Sequence, residues 1–530
     1  MFSLLNLQLR RPSLQRISEA IWYWLNNSQW VVPVSFLIFI FVFIPFWQAF
    51  LYNFDEGFEL MRATMQNQGY SLYKEIWSDQ PPLFSDILKN WLLVFGNSIF
   101  FARFLIILFA TTLLLFFYKT LRLFFGHWSA IFGTALLVFT TDFIQFSIQV
   151  KVDMPALTLV VVMLYFLMFS LHQDGNRRFK SSAAIAGFFM GLALQTKLYT
   201  VLVCPAIALY FLLLLILSWR QTEKRKVIFV KGILFGGGLA VSILLSILFY
   251  REAAFGQLVE SHLSAKQFFE DLTFKKLIHR SFTTNPAFWI FSSLGLGLVG
   301  TQERWRIYFP ILWLVATLLV LANHTPLWPH YYLLMALPIA WIGSAVFFQL
   351  WRSLATSENG RPLLRKSWRE NTIHFRLNLV AIILVFGIHI LGTTSVYVRG
   401  RHAVQQTSHG SAKQIALEHV LTYQANTNWF VTDSPIYAFY ADLKIPPELV
   451  VISRKRVLTE GINGEFILEM IHKYEPEQVL LERFVEERFD PPFLAYQPLA
   501  DYLKANYVEM TGDDKGYFEI SHFISKSILN

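Results

Sequence analysis

Acidic and basic side chains lie at the ends of long apolar segments in this 530-residue chain. Asp55 and Glu56 directly follow the first apolar segment, and Arg62 lies two helical turns beyond them. Asp79 comes later in the same loop, shortly before a Pro-Pro pair. Carboxylates can act as general bases toward a hydroxyl or an amine, and Lys or Arg can bind a phosphate and stabilise it as it leaves. The residues therefore indicate a site for a substrate that carries a phosphate and a polar group.

Further polar residues lie at the ends of later apolar segments. Arg103 is about one turn inside the second segment, Asp153 opens the fourth, and Lys197 separates the fifth from the sixth. His330 and Tyr331 open the tenth. Polar residues at a membrane boundary are costly and are functional candidates by default. The topology deduced below places all of them at one face, whereas a random scatter would divide between both faces.

Each of these residues also has a simpler interpretation. Asp55 and Glu56 could be the acidic start of a helix at a water boundary. Arg103 could extend its long side chain to the interface, and Lys197 could belong to an ordinary loop. Tyr331 could belong to a belt of interfacial aromatic residues. The functional interpretation depends on their occurrence together at one face.

The composition excludes a soluble or a disordered protein. Hydrophobic residues make up 55% of the chain and charged residues only 15%, with a mean hydropathy of +0.43. Soluble domains carry about 25% charged residues, and disordered chains are polar. The single cysteine, Cys204, excludes an intrachain disulfide and a cysteine-based zinc site.

Long apolar runs predict about eleven membrane helices, since a span needs about 20 mostly apolar residues. If the N-terminus is cytoplasmic, the cytoplasmic loops carry 21 Lys and Arg and the opposite loops carry 9, over similar lengths. This bias predicts a multi-pass protein of the cell (inner) membrane with an extracytoplasmic C-terminal part. The candidate spans are 31–51, 97–118, 128–144, 154–171, 182–197, 199–217, 228–250, 286–301, 309–323, 331–350 and 377–395.

The charge divides the chain into two predicted domains. Residues 1–395 carry 32 Lys and Arg against 18 Asp and Glu, whereas residues 396–530 carry 13 against 18. We expect a mainly α polytopic membrane domain over 1–395 and a small extracytoplasmic (periplasmic) α/β domain over 396–530. In the second domain, 429–433, 449–452, 478–482 and 517–520 predict strands and 459–473 predicts a helix. An amphipathic helix on the membrane surface is expected over 56–68.

Several short motifs, in this order, resemble the membrane-embedded GT-C glycosyltransferases of the protein O-mannosyltransferase and aminoarabinose lipid A transferase type. The resemblance covers most of residues 30–350. Gln80 departs from the pattern, because family members often carry Lys or His immediately before Pro-Pro. The matching elements are Asp55–Glu56, Pro81–Pro82–Leu83, Gly96–Asn97–Ser98, Ala102–Arg103, Asp153, Gly191–Leu192–Ala193, Thr196–Lys197, His330–Tyr331 and Leu337–Pro338.

The resemblance implies a GT-C fold and a transfer of a sugar from a polyprenyl-phosphate donor to an extracytoplasmic acceptor, which could be a protein, a lipid or a glycan. Asp55 would be the general base, Glu56 would position donor or acceptor, and Asp153 would orient the acceptor loop or pair with a cation. Arg103 and Lys197 would contact the donor phosphate. Further donor or acceptor contacts are expected from Arg62, Asp79, His330 and Tyr331.

The expected partners are the lipid-linked sugar donor, the acceptor and the bilayer, and no nucleic acid. No cofactor is expected to be required, although Asp55, Asp153 and His330 carry oxygen and nitrogen atoms of the kind that bind metals. The alternative function is a transporter or a flippase. Transporters usually show internal repeats and broken helices near mid-membrane, and this sequence shows no such repeat. A noncatalytic membrane scaffold is a third class and would not need the charged set.

Overall fold

The computed structural model of the protein describes residues 28–172, 177–250, 257, 273–297, 304–324, 327–355, 384, 387, 389–391, 412–484, 492–510 and 520–529. The predicted boundary between residues 395 and 396 lies outside these ranges. The described part up to residue 355 is almost entirely helical. Its helices are α1 (Val31–Phe43), α2 (Phe54–Asn67), α3 (Leu83–Phe95), α4 (Ile99–Phe125), α5 (His127–Val138), α6 (Thr141–Ile148), α7 (Asp153–His172), α8 (Arg177–Thr196), α9 (Cys204–Leu217), α10 (Thr222–Tyr250), α11 (Phe274–Thr284), α12 (Pro286–Leu296), α13 (Tyr308–Ala322) and α14 (Tyr332–Ala355).

The apolar helices confirm a polytopic membrane protein. Within the described residues, five helical spans are long and apolar enough to cross a membrane: α4, α7, Leu198–Leu217, α10 and α14. The pair α5 and α6, bent by 75°, would be a sixth, and α1, α12, α13 and most of α8 are shorter apolar helices. Ten of the eleven predicted spans thus coincide with apolar helices. The eleventh, 377–395, falls mostly outside the described residues.

The helices pack as a closed series of neighbours. Following contacts around the bundle, α10 packs on α8, α8 on α7, α7 on α4, and α4 on α5. The series continues through α14, α13 and α9 and returns to α10. The outer face of α10 exposes large apolar side chains such as Phe229, Ile233 and Leu248. Such a surface is stable against lipid tails and would be unfavourable in water.

The first predicted span is shorter than expected. The sequence predicted a helix over 31–51, but α1 ends at Phe43 and the next helix begins at Phe54. Ile44 is extended because it precedes Pro45, which disfavours the helical conformation for the residue before it. A non-helical segment therefore leads directly to Asp55.

Helix α2 confirms the predicted helix near 56–68 but not its exposure. The Asn53 side chain caps the helix by accepting a hydrogen bond from Asp55 N at 2.9 Å. Residues 56–66 are all buried, whereas a helix on a membrane surface would keep one face exposed. The cause is a C-terminal helix, Ile436–Tyr440, which packs so closely that a Cβ on Gly57 would lie 2.8 Å from Ile436 N.

The C-terminal part is a small α/β unit. Its strands are β1 (Phe430–Thr432), β2 (Gln478–Leu481), β3 (Tyr507–Glu509) and β4 (Ser521–Ser525). They form one sheet in the order β1-β2-β4-β3, with β1 parallel to β2 and the remaining pairs antiparallel. The helices of the unit are α15 (Ala412–Thr422), α16 (Ile436–Tyr440), α17 (Arg454–Glu460), α18 (Gly464–Tyr474), α19 (Gln497–Asn506) and α20 (Lys526–Leu529). The predicted α/β class is confirmed.

The secondary structure of this unit differs in detail from the prediction. Strands were correct at 429–433 and 478–482, but 449–452 is a 3-10 turn followed by irregular chain, whose apolar side chains are buried without pairing in the sheet. The predicted helix 459–473 is interrupted at Gly461, which takes a left-handed conformation with φ of 69°. The predicted strand 517–520 lies almost wholly outside the described residues. Neither β3 nor β4, which begins one residue later at Ser521, was predicted.

Close packing of α8 on α10 generates a prediction. A Cβ on Gly187 would overlap the carbonyl oxygen of Phe235, whereas a Cβ on Gly236 would meet nothing within 4 Å. We expect Gly187→Ala to destabilise the protein by about 1–3 kcal/mol through forced separation of the two helices. The thermal unfolding midpoint in detergent should fall for Gly187→Ala and should not fall for the control Gly236→Ala, because alanine at an unhindered helix position is at least as stable as glycine. Equal midpoints would contradict this packing.

Candidate active site

The centre of the candidate site is a buried ion pair between α2 and α4. Glu56 and Arg103 are both fully buried, and Arg103 Nη2 lies 2.9 Å from Glu56 Oε2. The other Glu56 oxygen accepts from Arg103 Nε at 3.1 Å and from Val150 N at 3.0 Å, and Tyr52 N donates to Oε2 at 2.9 Å. Arg103 Nη1 donates to the carbonyls of Phe46 and Ala49. The pair joins three chain segments and leaves little bonding capacity for a ligand.

Asp55 points the other way, into a cavity. Its side chain is 55% exposed, and Lys151 Nζ lies 2.8 Å from its Oδ2. Asp55 lines a partly open cavity. Burial alone would raise the pKa of Asp55, but the charge and hydrogen bond of Lys151, together with the charge of Arg483, outweigh this effect and hold that pKa below its usual value. Asp55 is therefore an ionised, accessible carboxylate.

Asp153, Lys197 and His330 meet at the ends of three membrane helices. Asp153 is the first residue of α7, Lys197 follows the end of α8, and His330 lies in the 3-10 turn before α14. Lys197 Nζ donates to Asp153 Oδ1 at 2.7 Å and lies 3.3 Å from His330 Nε2. Burial lowers the pKa of His330 to about 3, so its imidazole is neutral near pH 7 and can accept a hydrogen bond at Nε2.

A third charged group connects α2 to the C-terminal unit. Arg62 donates to Glu59 Oε1 at 2.7 Å and lies 3.6 Å from Asp79, whose other oxygen lies 3.2 Å from Lys455 Nζ. Glu59 Oε2 is buried and has no hydrogen-bond partner among the described residues. Burial raises the pKa of Glu59 despite its contact with Arg62.

The charged residues described above, apart from Glu56 and Arg103, line one cavity of about 860 Å³. Its walls hold seven Lys or Arg and four Asp or Glu, so their formal charge is positive. Eight predicted or neighbouring polar residues line it together: Asp55, Arg62, Asp79, Lys151, Asp153, Lys197, His330 and Tyr331. Within the described residues, no group of three His, Cys, Asp or Glu is arranged to hold a metal.

The structure corrects two predicted roles. Arg103 was expected to contact the donor phosphate, but it is fully buried, is absent from the cavity wall and uses its nitrogens on Glu56 and two backbone carbonyls. Glu56 was expected to contact donor or acceptor, but both of its oxygens are engaged in the same buried cluster. Both residues hold the backbone around Asp55 in place instead.

The sequence suggested that the C-terminal part packs on the membrane domain or helps to bind acceptor, but it identified none of the residues involved. Arg454, Lys455 and Arg483 line the cavity together with Val451 and Ser453. The basic run at 454–456 within an acidic segment is a signal in the sequence, but nothing in it shows that the run faces the site. Arg280 of α11 and Gln149, between α6 and α7, were also missed, whereas Lys151 was noted only as a neighbour of Asp153.

Comparison with known proteins places this geometry in a known fold. A family model for dolichyl-phosphate-mannose-protein mannosyltransferases matches residues 79–246. The structure of ArnT from Cupriavidus metallidurans bound to undecaprenyl phosphate superimposes with a TM-score of 0.61 at 14% identity, covering 92% of this chain and 97% of that one. The chain has the GT-C fold.

A second GT-C structure agrees over a similar length. The archaeal oligosaccharyltransferase AglB from Archaeoglobus fulgidus, in complex with an inhibitory peptide and a dolichol-phosphate, gives a TM-score of 0.57 at 12% identity, covering 96% of this chain and 75% of that one. No curated protein matches by sequence. The resemblance predicted from the sequence is confirmed, and the family match supports the predicted class of enzyme, a membrane glycosyltransferase.

The buried pair of Glu56 and Arg103 generates a stability prediction. Removing one partner of a buried ion pair costs about 3–5 kcal/mol, because the remaining charge has no compensation. Arg103→Ala should therefore lower the thermal unfolding midpoint strongly or prevent folding, as measured on detergent-solubilised protein.

Arg122→Ala is the matched control, since Arg122 lies on the same helix and is exposed. It should leave the midpoint nearly unchanged. An Arg103→Ala protein that melts normally but no longer binds polyprenyl phosphate would restore the original interpretation of Arg103 as a donor contact.

Proposed function

We propose that the protein transfers a sugar from a polyprenyl-phosphate donor to an acceptor outside the cytoplasm. The observation that carries the proposal is the placement of an ionised, accessible Asp55 in a cavity whose walls also hold Lys151 and Lys197. This is the combination of base and phosphate-binding cations that such a transfer needs. ArnT and AglB, which share the fold, are described with undecaprenyl phosphate and dolichol-phosphate bound.

In the proposed reaction, Asp55 accepts a proton from the acceptor hydroxyl or amine. The acceptor oxygen or nitrogen then bonds to the anomeric carbon of the sugar while the bond from that carbon to the phosphate oxygen breaks. The bonding electrons leave with the lipid phosphate, whose charge Lys197 stabilises. One displacement of this kind inverts the anomeric centre, and the chain supplies the base and the cation without a metal.

Asp153 and His330 serve Lys197 in this proposal. Asp153 holds the ammonium at 2.7 Å, and the neutral His330 fixes its direction from the other side without adding charge. Tyr331, Arg62 and Asp79 line the same cavity and would contact sugar or acceptor. In this proposal Glu56 holds the backbone beside Asp55 in place, instead of contacting donor or acceptor as the sequence suggested.

The distribution of charge favours transfer over transport. Asp153, Lys197 and His330 lie at helix ends on one face, the face that carries the C-terminal unit. A transporter would be expected to bind its substrate near mid-membrane at broken helices. The loops at the other end of the helices, assigned above to the cytoplasm, carry the excess of Lys and Arg. Together these observations support an inner-membrane enzyme with its N-terminus in the cytoplasm and its site outside.

The role of Asp55 can be tested in cells without knowing the sugar. We expect Asp55→Asn to lower transfer by about 10²–10⁴-fold, because a neutral amide cannot accept the proton. Mass spectrometry should then detect the same accumulated polyprenyl-phosphate-linked sugar in the Asp55→Asn strain as in a deletion strain.

Asp86→Asn is the control, because Asp86 lies on α3 and outside the cavity wall. That strain should resemble the wild type. A wild-type lipid profile with Asp55→Asn would refute the assignment of the base, and an unchanged profile in the deletion strain would refute the proposed function.

The role of Lys197 requires paired variants, since removing Lys197 alone would leave Asp153 buried and unpaired. Asp153→Asn with Lys197→Gln removes both charges and should weaken binding of polyprenyl phosphate by about 10–150-fold, the value of a charged hydrogen bond. Asp153→Asn alone should keep or strengthen it, because the ammonium is then free for phosphate.

Isothermal titration of the detergent-solubilised protein with polyprenyl phosphate measures both effects. Lys226→Gln, an exposed residue of α10 paired with Glu223, is the control for loss of a lysine charge. Equal affinities in the double variant and the wild type would remove Lys197 from the donor site.

A further inference from the structure

Among the described residues, the charged side chains that the C-terminal unit presents to the cavity are all cations. Its charged lining residues are Arg454, Lys455 and Arg483. Residues 396–530 as a whole carry 18 Asp and Glu against 13 Lys and Arg. The wall facing the site therefore has the opposite charge to the segment that forms it, which is the pattern of a surface arranged for an anionic ligand.

Arg483 is the most constrained of the three. It follows β2, at the carboxyl end of the parallel pair β1 and β2. The Asp433 carboxylate, which follows β1, accepts hydrogen bonds from the backbone N–H groups of Glu482, Arg483 and Phe484 at 2.8–2.9 Å. This fixes the turn that carries the Arg483 side chain into the cavity.

The guanidinium of Arg483 is held by aromatic rings and one carbonyl. Its Nη1 donates to Ile452 O at 2.8 Å, and its central carbon lies 4.6 Å from the Phe54 ring and 5.2 Å from the Phe58 ring. Phe54 is the neighbour of Asp55, so the charge of Arg483 lies beside the proposed base. The rings of Phe54 and Phe58 pack on the guanidinium of Arg483 without using its N–H groups. The N–H groups that do not bond Ile452 O can therefore donate to a planar or tetrahedral oxyanion.

Arg483 differs from the other cavity cations in its partners. Lys151, Lys197 and Lys455 each have a carboxylate within 3.2 Å. In the part of the chain that the structure describes, no carboxylate lies within ion-pairing distance of Arg483. The charges of Asp433, Asp55 and Glu482 act on Arg483 only over longer distances, so its guanidinium keeps hydrogen-bonding capacity for an anion.

We propose that Arg483, with Arg454 and Lys455 beside it, binds an oxyanion group of the acceptor, a phosphate or a carboxylate. The inference rests on the proposed function. The donor phosphate is assigned to Lys197 at the ends of the membrane helices, whereas Arg483 lies on the wall formed by the C-terminal unit. The acceptor of this enzyme would then be an acidic molecule whose charged group lies close to the reacting hydroxyl or amine.

The test uses the full chain in detergent and two probes. Undecaprenyl phosphate reports on the donor site, and inorganic phosphate, added after that site is saturated, reports on a second oxyanion site. We expect the wild type to bind both probes. Arg483→Gln should lower the affinity for inorganic phosphate at least about tenfold and leave the affinity for undecaprenyl phosphate unchanged. Arg454→Gln, a change at an exposed residue, should also lower the affinity for inorganic phosphate. Lys473→Gln, on the outer surface of the same unit, is the control.

Each alternative result identifies a different failure. If the Arg483→Gln protein no longer binds undecaprenyl phosphate, Arg483 belongs to the donor site and the inference is wrong. If the saturated wild type binds no inorganic phosphate, or the Arg483→Gln and Arg454→Gln proteins bind it as well as the wild type, there is no second oxyanion site of this kind. If the wild type fails to bind undecaprenyl phosphate at all, the proposed function itself fails. Arg483→Lys should retain part of the affinity, which separates lost charge from misfolding.

Discussion

The buried pair of Glu56 and Arg103 is the interaction on which the site depends. It joins the non-helical segment after α1, the start of α4 and the segment before α7, through one carboxylate and one guanidinium. A bilayer-embedded fold cannot leave the backbone groups of a non-helical segment unbonded. The pair supplies partners to the carbonyls of Phe46 and Ala49 and to the amide of Tyr52, and Asp55 directly precedes Glu56 along the chain. The position of Asp55 is therefore a consequence of a buried structural cluster that lies outside the cavity wall.

Two lysines of the cavity are paired with carboxylates before any substrate enters. Lys151 is held by Asp55 and Lys197 by Asp153, which keeps both ammonium groups in place without the cost of isolated buried charges. The same pairing sets a limit on binding, because an arriving phosphate must share each ammonium with a carboxylate. The neutral His330 lessens this limit, since it orients Lys197 without adding a competing negative charge or a second positive one. The arrangement favours a pre-organised site over maximal affinity for the donor.

Much of this could be predicted from local sequence, and the remainder depended on contacts between distant segments. Apolar runs showed the membrane helices, and the positions of Asp55, Asp153, Lys197 and His330 at helix ends showed which face carries chemistry. Arg103 and Lys197 looked equivalent in the sequence, because both are cations at the end of an apolar run. They differ only in their partners, which lie 47 and 44 residues away along the chain. The strand expected at 449–452 failed for a related reason: its apolar residues indicated burial correctly, but the pairing partner that makes a strand was absent.

The C-terminal unit completes the cavity and is therefore part of the site. It is docked on the segment that carries the base, through the ring of Tyr440 stacked 5.0 Å from Phe50, the Tyr440 hydroxyl on Phe50 O and the close approach of Ile436 to Gly57. Ligands of α/β sheets commonly bind beyond the carboxyl ends of parallel strands, and here Asp433 and Arg483 lie within two residues of the ends of the two parallel strands. In this chain that end of the sheet faces the end of a membrane bundle, so the C-terminal unit and the ends of the membrane helices form two walls of the cavity that holds Asp55. The docking contacts thus determine the spacing of these walls as well as the stability of the fold.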